Sequence, residues 1–166
     1  MAAAVLAGAA QIIAIDIHDA TLQKARRFGA TDVINSATVN AVEAVHELLP
    51  NGIDSVFDFV GLNEVTTQAL EMLAVGGALY LIGVSSPDSR VTVNLVGAVL
   101  RQPRVVGVNT GSTNFKRDIP LYSRMYLDGR FELDALVSAE ISLDQIEAGY
   151  QKLADPEVSR VVITRF

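Results

Sequence analysis

The sequence predicts an α/β fold built on a doubly wound parallel sheet. Short runs rich in Ile, Val and Phe alternate with helical segments, and glycines stand where the helices should end. The apolar runs at 12–15 and 56–60 lack a polar alternation, which is typical of strands that are buried on both faces. Strands and helices that alternate at this spacing indicate βαβ units, and therefore parallel strands with helices on both sides of the sheet.

The elements can be assigned in order along the chain. Residues 1–8 read as the second half of a helix. Apolar, β-branched runs predict strands at 11–16, 32–35, 55–59, 78–83, 104–108 and 160–164. Helical patterns lie at 20–28, 40–49, 64–73, 95–101, 118–128 and 143–154. Gly29 and Gly52 follow two of these helices, as expected for residues that end a helix in the left-handed conformation. Residues 91–94 form a candidate extra strand, and residues 110–116 form a polar loop.

The composition excludes several kinds of function. A chain of 166 residues that is 50% hydrophobic and 19% charged is a globular chain of one domain. Its net charge of −6 argues against a nucleic-acid partner, because binding phosphates needs a concentrated basic surface. The absence of cysteine removes disulfides, thiol catalysis and cysteine-ligated zinc. No stretch approaches the roughly 18 apolar residues of a membrane helix, so we expect no membrane partner and a cytoplasmic protein.

The candidate ligand site lies where the strands end, because open α/β sheets bind ligands at the carboxyl ends of their strands. The residues at these ends are Asp16 and Ile17, then Phe59, Val60 and Gly61, then Ile82, Gly83 and Val84, and then Val108, Asn109 and Thr110. Asp16 is suited to accept both ribose hydroxyls of an adenosine and to repel a 2′-phosphate. Its alternative role is to cap the following helix. Gly61 and Gly83 would let a ligand approach the backbone, or would equally serve a turn.

A glycine-rich dinucleotide fingerprint is not found in this sequence. A G-x-G-x-x-G motif should lie roughly 20 positions before the acidic residue, and counting back from Asp16 passes the start of the chain. We therefore expect the first strand and the glycine-rich loop to be missing. Residues 1–166 are then a partial dinucleotide-binding domain.

Several runs resemble the zinc-dependent medium-chain alcohol dehydrogenases, in order and over essentially the whole chain. These runs are 7–17, 24–32, 54–61, 76–83 and 157–163. The resemblance implies a Rossmann-like NAD-binding domain in which Asp16 holds the adenosine ribose and favours NAD over NADP. It also implies that the backbone near Phe59 and Val60 lines the cleft, and that segments 82–84 and 108–110 face the nicotinamide carboxamide. Arg160 matches a pyrophosphate-binding arginine; its alternative role is that of a surface charge.

The same resemblance implies what the chain does. It is the cofactor-binding part of an NAD-dependent alcohol dehydrogenase and is expected to be inactive alone. No catalytic residue and no metal ligand can be mapped onto it, and zinc belongs only to the absent catalytic domain. The alternatives are a non-catalytic nucleotide-binding or dimerisation remnant, and a domain of a zinc-independent medium-chain reductase. A homodimer is expected through an edge strand near Val91-Thr92-Val93-Asn94, because an exposed edge invites pairing with a second copy.

The other polar residues have plainer interpretations. His18 and His46 lie on different predicted elements and are read as surface residues, since a zinc site needs three or four converging ligands. Asp58, at a strand end, is expected to have a structural hydrogen-bonding role rather than an acid–base role. Lys24 belongs to a basic cluster, with Arg26 and Arg27, that is expected to be a solvated helix face.

Overall fold

The structure, a computed structural model, describes residues 1–155 and 157–166. Its contacts divide the chain into two units. Unit 1 combines Met1–Thr38 with Phe115–Phe166, and unit 2 is Val39–Asn114. Every strand pair recorded in the described residues is parallel, and helices connect successive strands, so the predicted α/β class is confirmed.

The elements of the described chain alternate much as the sequence predicts. The strands are β1 (Ile13–Asp16), β2 (Asp32–Asn35), β3 (Ile53–Asp58), β4 (Leu73–Leu81), β5 (Arg104–Gly107), β6 (Ala139–Ser142) and β7 (Val161–Arg165). The helices are α1 (Ala2–Leu6), α2 (Asp19–Arg27), α3 (Ala41–Leu48), α4 (Asn63–Glu71), α5 (Leu95–Arg101), α6 (Phe115–Leu127) and α7 (Ile146–Lys152). Short 3₁₀ turns occupy Thr110–Ser112, Asp134–Leu136 and Leu143–Gln145.

The strands form three small sheets. Unit 1 contains the pairs β1-β2 and β6-β7, and unit 2 contains the order β3-β4-β5. Within residues 1–155 and 157–166, no strand pairs with the second edge of β1 or of β3. Asp16 lies opposite Asn35 in the β1-β2 register, so both stand at the carboxyl edge of that sheet.

Two strand predictions need correction. Residues 91–94 form no strand, because a ladder needs a neighbouring strand and the described chain pairs none with them. β6 was not predicted, because its sequence is short and partly polar; it is a strand through its pairing with β7.

The expected burial of strands on both faces is wrong for unit 2. Helices α4 and α5 contact the β3-β4-β5 sheet and cover Leu73 and Leu79, which are almost fully buried. The connections β3-α4-β4 and β4-α5-β5 run in one direction, which places both helices on the same face. On the other face Phe57 stacks on Tyr80, with ring centroids 4.8 Å apart, and remains 53% exposed. In the described residues, no helix has the length and apolarity that crossing a membrane requires.

Candidate functional site

Asp16 ends β1 in unit 1 and is half-buried. Its Oδ1 accepts a hydrogen bond from the backbone N–H of His18 at 2.9 Å, which closes a tight turn before α2. The N-cap residue of α2 is His18 rather than Asp16, and no side chain caps that helix. The capping alternative is therefore not what the structure shows. Oδ2 accepts from no described donor, so one carboxylate oxygen stays available at the strand end.

Arg160 precedes β7, also in unit 1, and its side chain is exposed. Its Nη1 donates to the carbonyl oxygen of Ser159 at 2.8 Å, and no described carboxylate forms an ion pair with it. The backbone at Arg160 is held firmly, because its carbonyl oxygen accepts from the N–H groups of Ser138 (2.8 Å) and Ala139 (3.3 Å). Arg160 is thus an anchored residue with a guanidinium that can still receive an anion.

Asp58 ends β3 in unit 2 and is only 4% exposed. Its Oδ1 accepts from the backbone N–H groups of Val60 (2.9 Å) and Gly61 (3.0 Å), and its Oδ2 accepts from the hydroxyl of Thr66 at 2.7 Å. The expectation of a structural hydrogen-bonding role is confirmed. The side chain fixes the loop after β3 and joins it to α4.

The loops after β3 and β4 approach each other backbone to backbone. A Cβ added at Gly83 would lie 2.5 Å from the nitrogen of Gly61 and 2.6 Å from the carbonyl carbon of Val60. A Cβ at Gly61, whose φ is +74°, would lie 2.9 Å from the carbonyl carbon of Gly83. Both glycines are therefore needed for the loops to pack on each other. Ser85 strengthens this contact, since its Oγ donates to the carbonyl oxygen of Gly61 at 2.6 Å.

The hydrogen bonds inside unit 2 decide which polar groups the two loops can offer a ligand. The main-chain oxygen of Asp58 accepts from the N–H groups of Ile82 and Gly83, each at 2.9 Å. Its carboxylate uses the N–H groups of Val60 and Gly61. These four N–H groups are therefore engaged within unit 2, and a ligand would have to use the remaining polar groups of the two loops.

A third loop of unit 2 follows β5. Val108 is half-buried, and its N–H donates to the carbonyl oxygen of Leu81 at 2.9 Å, while Asn109 and Thr110 are exposed. Thr110 has φ 51° and is followed by Gly111 at 67° and Ser112 at 51°, so three successive residues are left-handed. The segments 82–84 and 108–110 thus both follow strands of the same sheet at its carboxyl edge.

Comparison with known families shows which family has this sequence. A family model described as zinc-binding dehydrogenase matches residues 1–124, well over half of the chain. The chain belongs to this family.

Three related dehydrogenases show how far the similarity extends. The chain is 34% identical over 161 residues to the NDMA-dependent alcohol dehydrogenase of Amycolatopsis methanolica, covering 95% of this chain and 43% of that protein. It is 28% identical to the benzyl alcohol dehydrogenase of Acinetobacter calcoaceticus, with a TM-score of 0.94 over 99% of this chain and 45% of that one. A zinc-binding dehydrogenase structure from Sinorhizobium meliloti, bound to NADP, is 25% identical to this chain. Its TM-score is 0.82, and the match covers 97% of this chain and 46% of that one. The chain thus spans less than half the length of these relatives.

The residues of this chain do not fit a zinc ion. The sequence has no cysteine, and the described residues contain no group of three or more histidine, aspartate or glutamate side chains that could hold a metal. His46 is a half-buried residue at the surface, and its Nε2 lies 3.2 Å from the carbonyl oxygen of Glu71. His18 is exposed at the start of α2. No step of zinc chemistry can be derived from these residues.

Sequence reasoning missed the contacts of Lys24 and the exact partners of Asp58. Lys24 does not simply face solvent, because its Nζ donates to the carbonyl oxygen of Glu157 and, at 3.3 Å, to Ser159 Oγ. The sequence carries no signal for these contacts, which span more than 130 positions. The turn at Asp58 does have a signal, since a carboxylate two and three residues before the N–H groups of Val60 and Gly61 is a typical Asx turn.

Proposed function

We propose that this chain is the cofactor-binding part of an NAD-dependent alcohol dehydrogenase, and that residues 1–166 are a partial dinucleotide-binding domain. The observation that carries the proposal is Asp16 at the carboxyl end of β1, with one carboxylate oxygen closing a turn and the other available. A carboxylate at the end of this strand is suited to the ribose hydroxyls of an adenosine. Family membership and the alcohol dehydrogenases among the relatives support the same function.

Each unit would contribute its own groups to the cofactor. In unit 1, Asp16 and Ile17 would bind the adenosine ribose, and Arg160 would bind the pyrophosphate by charge-assisted hydrogen bonds. In unit 2, Phe59, Val60 and Gly61 would line the cofactor. The carbonyl oxygens of the segments Ile82-Gly83-Val84 and Val108-Asn109-Thr110 would accept hydrogen bonds from the nicotinamide carboxamide.

The redox chemistry itself belongs to the cofactor. Bound NAD supplies the acceptor for the hydride of an alcohol, and the protein orients it. The zinc that the family name implies would be held by residues of a separate catalytic domain. The cytoplasm is the location proposed with this function, which fits a chain without cysteine. A nucleotide-binding remnant without catalysis is the alternative function.

The test of the proposed function is the cofactor preference of the full-length protein that carries this segment. We expect kcat/KM to be higher with NAD than with NADP, because Asp16 repels a 2′-phosphate. The substitution Asp16→Ala should reduce the ratio of the two kcat/KM values by about tenfold, which is about 1.4 kcal/mol.

The matched control for Asp16 is Asp19→Ala, which removes the same charge three residues away. The Asp19 carboxylate accepts from Asn35 Nδ2 at 2.6 Å and has no role in the proposed site. The control should leave the cofactor ratio within about twofold of the parent protein. A parent protein that works better with NADP would show that the role given to Asp16 is wrong.

We also propose that the chain associates with a second copy of itself. Residues 92–94 are exposed and pair with no described strand, so their backbone groups can hydrogen-bond to another chain. The helix that follows, α5, exposes a row of apolar side chains: Leu95, Val96, Val99 and Leu100, each by 69% or more. Exposed apolar surface of this kind marks association sites.

Light scattering at micromolar concentration should show more than one copy of the chain per particle. Val93→Lys should reduce the particle mass, because it places a charge on the proposed edge. Val75→Lys, an equally drastic change at an exposed position of β4, is the control and should leave the mass unchanged. A stable monomer of the parent chain would contradict the proposal. An unchanged assembly in Val93→Lys would exclude residues 91–94 as the contact.

A further inference from the structure

Lys24 is a polar side chain of unit 1 with long-range contacts that the proposed function does not use. It lies on α2 and is half-buried. Its Nζ donates to the carbonyl oxygen of Glu157 and to Ser159 Oγ at 3.3 Å. The other cations of this helix behave differently, since Arg26 reaches the neighbouring carbonyl oxygen of Thr31 at 3.4 Å and Arg27 is exposed in the last turn.

The partners of Lys24 belong to the irregular segment that leads directly into Arg160. This segment is held from a second side by Ser138, whose Oγ accepts from the N–H of Ser159 at 2.8 Å. The N–H of Ser138 in turn donates to the carbonyl oxygen of Arg160 at 2.8 Å. The backbone before Arg160 is therefore held by Ser138 beside β6 and by Lys24 of α2. A local turn also holds it, in which Asp155 accepts from the N–H groups of Glu157 at 2.8 Å and of Val158 at 2.9 Å.

Helix α2 also begins at the turn formed by Asp16. That turn ends with the N–H of His18, which is the N-cap residue of α2. One short helix thus starts at the proposed ribose-binding carboxylate and carries Lys24, which holds the segment of the proposed pyrophosphate-binding arginine. A rigid helix transmits position between the two groups, because its internal hydrogen bonds fix the distance along its axis.

We infer that Lys24 is a positioning residue for Arg160, which it sets at the spacing from Asp16 that an adenosine diphosphate group requires. This inference rests on the proposed function, because it takes Arg160 as the pyrophosphate ligand. Lysine suits the role, since an ammonium group on a long stem has three donors and can serve a carbonyl and a hydroxyl oxygen together. Methionine has a stem of similar length without a donor, so Lys24→Met removes the contacts and keeps the packing.

The first arm of the test measures hydrogen–deuterium exchange in the 166-residue chain. Lys24→Met should raise the exchange rate of the backbone amides at 157–160 by about tenfold, because the segment loses its contacts with α2. Arg27→Met, on the same helix, should leave these rates unchanged. Lys24→Arg, which retains a charged donor, should restore part of the protection. Unchanged exchange in Lys24→Met would show that Lys24 does not hold the segment and would overturn the inference.

The second arm measures binding of two probes to the full-length protein that carries this segment. ADP-ribose contains both the ribose and the pyrophosphate, whereas adenosine contains the ribose alone. Lys24→Met should weaken the binding of ADP-ribose by about tenfold and should leave the affinity for adenosine within about twofold of the parent protein. In an Arg160→Gln background Lys24→Met should have little further effect, because residues that act through one another are not additive. If the role of Lys24 were only structural, Lys24→Met would weaken the binding of both probes equally. It would also still weaken binding in the Arg160→Gln background.

The outcomes separate the inference from the proposed function. If Arg160→Gln weakens the binding of ADP-ribose and Lys24→Met does not, the inference is wrong and the proposed site is retained. If Lys24→Met weakens adenosine as much as ADP-ribose, the inference is also overturned. If Arg160→Gln has no effect on the binding of ADP-ribose, the proposed pyrophosphate site is wrong, and so is the role given to Lys24.

Discussion

Gly83→Ala is expected to destabilise the folded chain by about 3 kcal/mol, the upper part of the usual range for overpacking. The added Cβ would lie 2.5 Å from the nitrogen of Gly61 and 2.7 Å from the carbonyl carbon of Phe59. Both atoms belong to the backbone of the loop after β3, so no side chain can rotate away to relieve the overlap. The loop must move as a whole, and the hydrogen bonds that Asp58 makes to it must stretch or break.

The free energy of unfolding in urea measures this effect. The matched control is Gly107→Ala at the end of β5, where an added Cβ meets no atom within 4 Å. That variant should differ from the parent chain by no more than about 0.5 kcal/mol. Equal stabilities of the two variants would contradict the close approach of the two loops. In the full-length protein, Gly83→Ala should also raise the KM for NAD, because the displaced loop lines the proposed cofactor site.

Asp58→Ala is expected to cost about 3 to 5 kcal/mol of stability. The change leaves three donors without an acceptor, namely the N–H groups of Val60 and Gly61 and the hydroxyl of Thr66. Two of these donors are buried, and each buried donor that loses its partner costs about 1–3 kcal/mol, whereas the N–H of the exposed Val60 can bond to water. Asp58→Asn should cost less than half as much. Its Oδ1 can still accept from the two N–H groups, and its amide can donate to the Thr66 oxygen.

The control for Asp58 is Asp54→Ala, which removes a carboxylate from an exposed position of the same strand. Urea unfolding should place Asp54→Ala within about 0.5 kcal/mol of the parent chain. The order of stability should therefore be parent and Asp54→Ala, then Asp58→Asn, then Asp58→Ala. An Asp58→Ala chain as stable as the Asp54→Ala control would show that the three hydrogen bonds contribute nothing to folding.

The type and order of the elements could be predicted because they depend on local periodicity. β2 and α5 have the predicted bounds, and glycines follow α2 and α3 within a few residues. Strand pairing is not a local property. Residues 91–94 have the β-branched composition of a strand but no described neighbour, whereas the partly polar β6 is a strand because β7 lies beside it.

The strand ends after β3, β4 and β5 could also be predicted, because the carboxyl ends of parallel strands share one edge of a sheet. Their role in binding a cofactor stays a prediction. What these positions do inside the fold could not be predicted. Gly61 and Gly83 are 22 positions apart and face each other only after β3 and β4 have paired. The same holds for Lys24, whose partners lie near the other end of the chain. Long-range contacts of this kind depend on the assembled sheet and leave no periodic signal.

The left-handed run Thr110-Gly111-Ser112 has a consequence for how this chain would respond to selection. A β-branched residue in that backbone region is strained, by about 1–3 kcal/mol. If only the stability of the folded chain mattered, glycine or asparagine would be favoured over threonine at position 110. Laboratory evolution for heat resistance would therefore find its gains at this turn early, because relaxing a strained residue stabilises the folded chain. Variants enriched that way would be more stable and would keep the same left-handed turn, because glycine and asparagine adopt this backbone conformation readily.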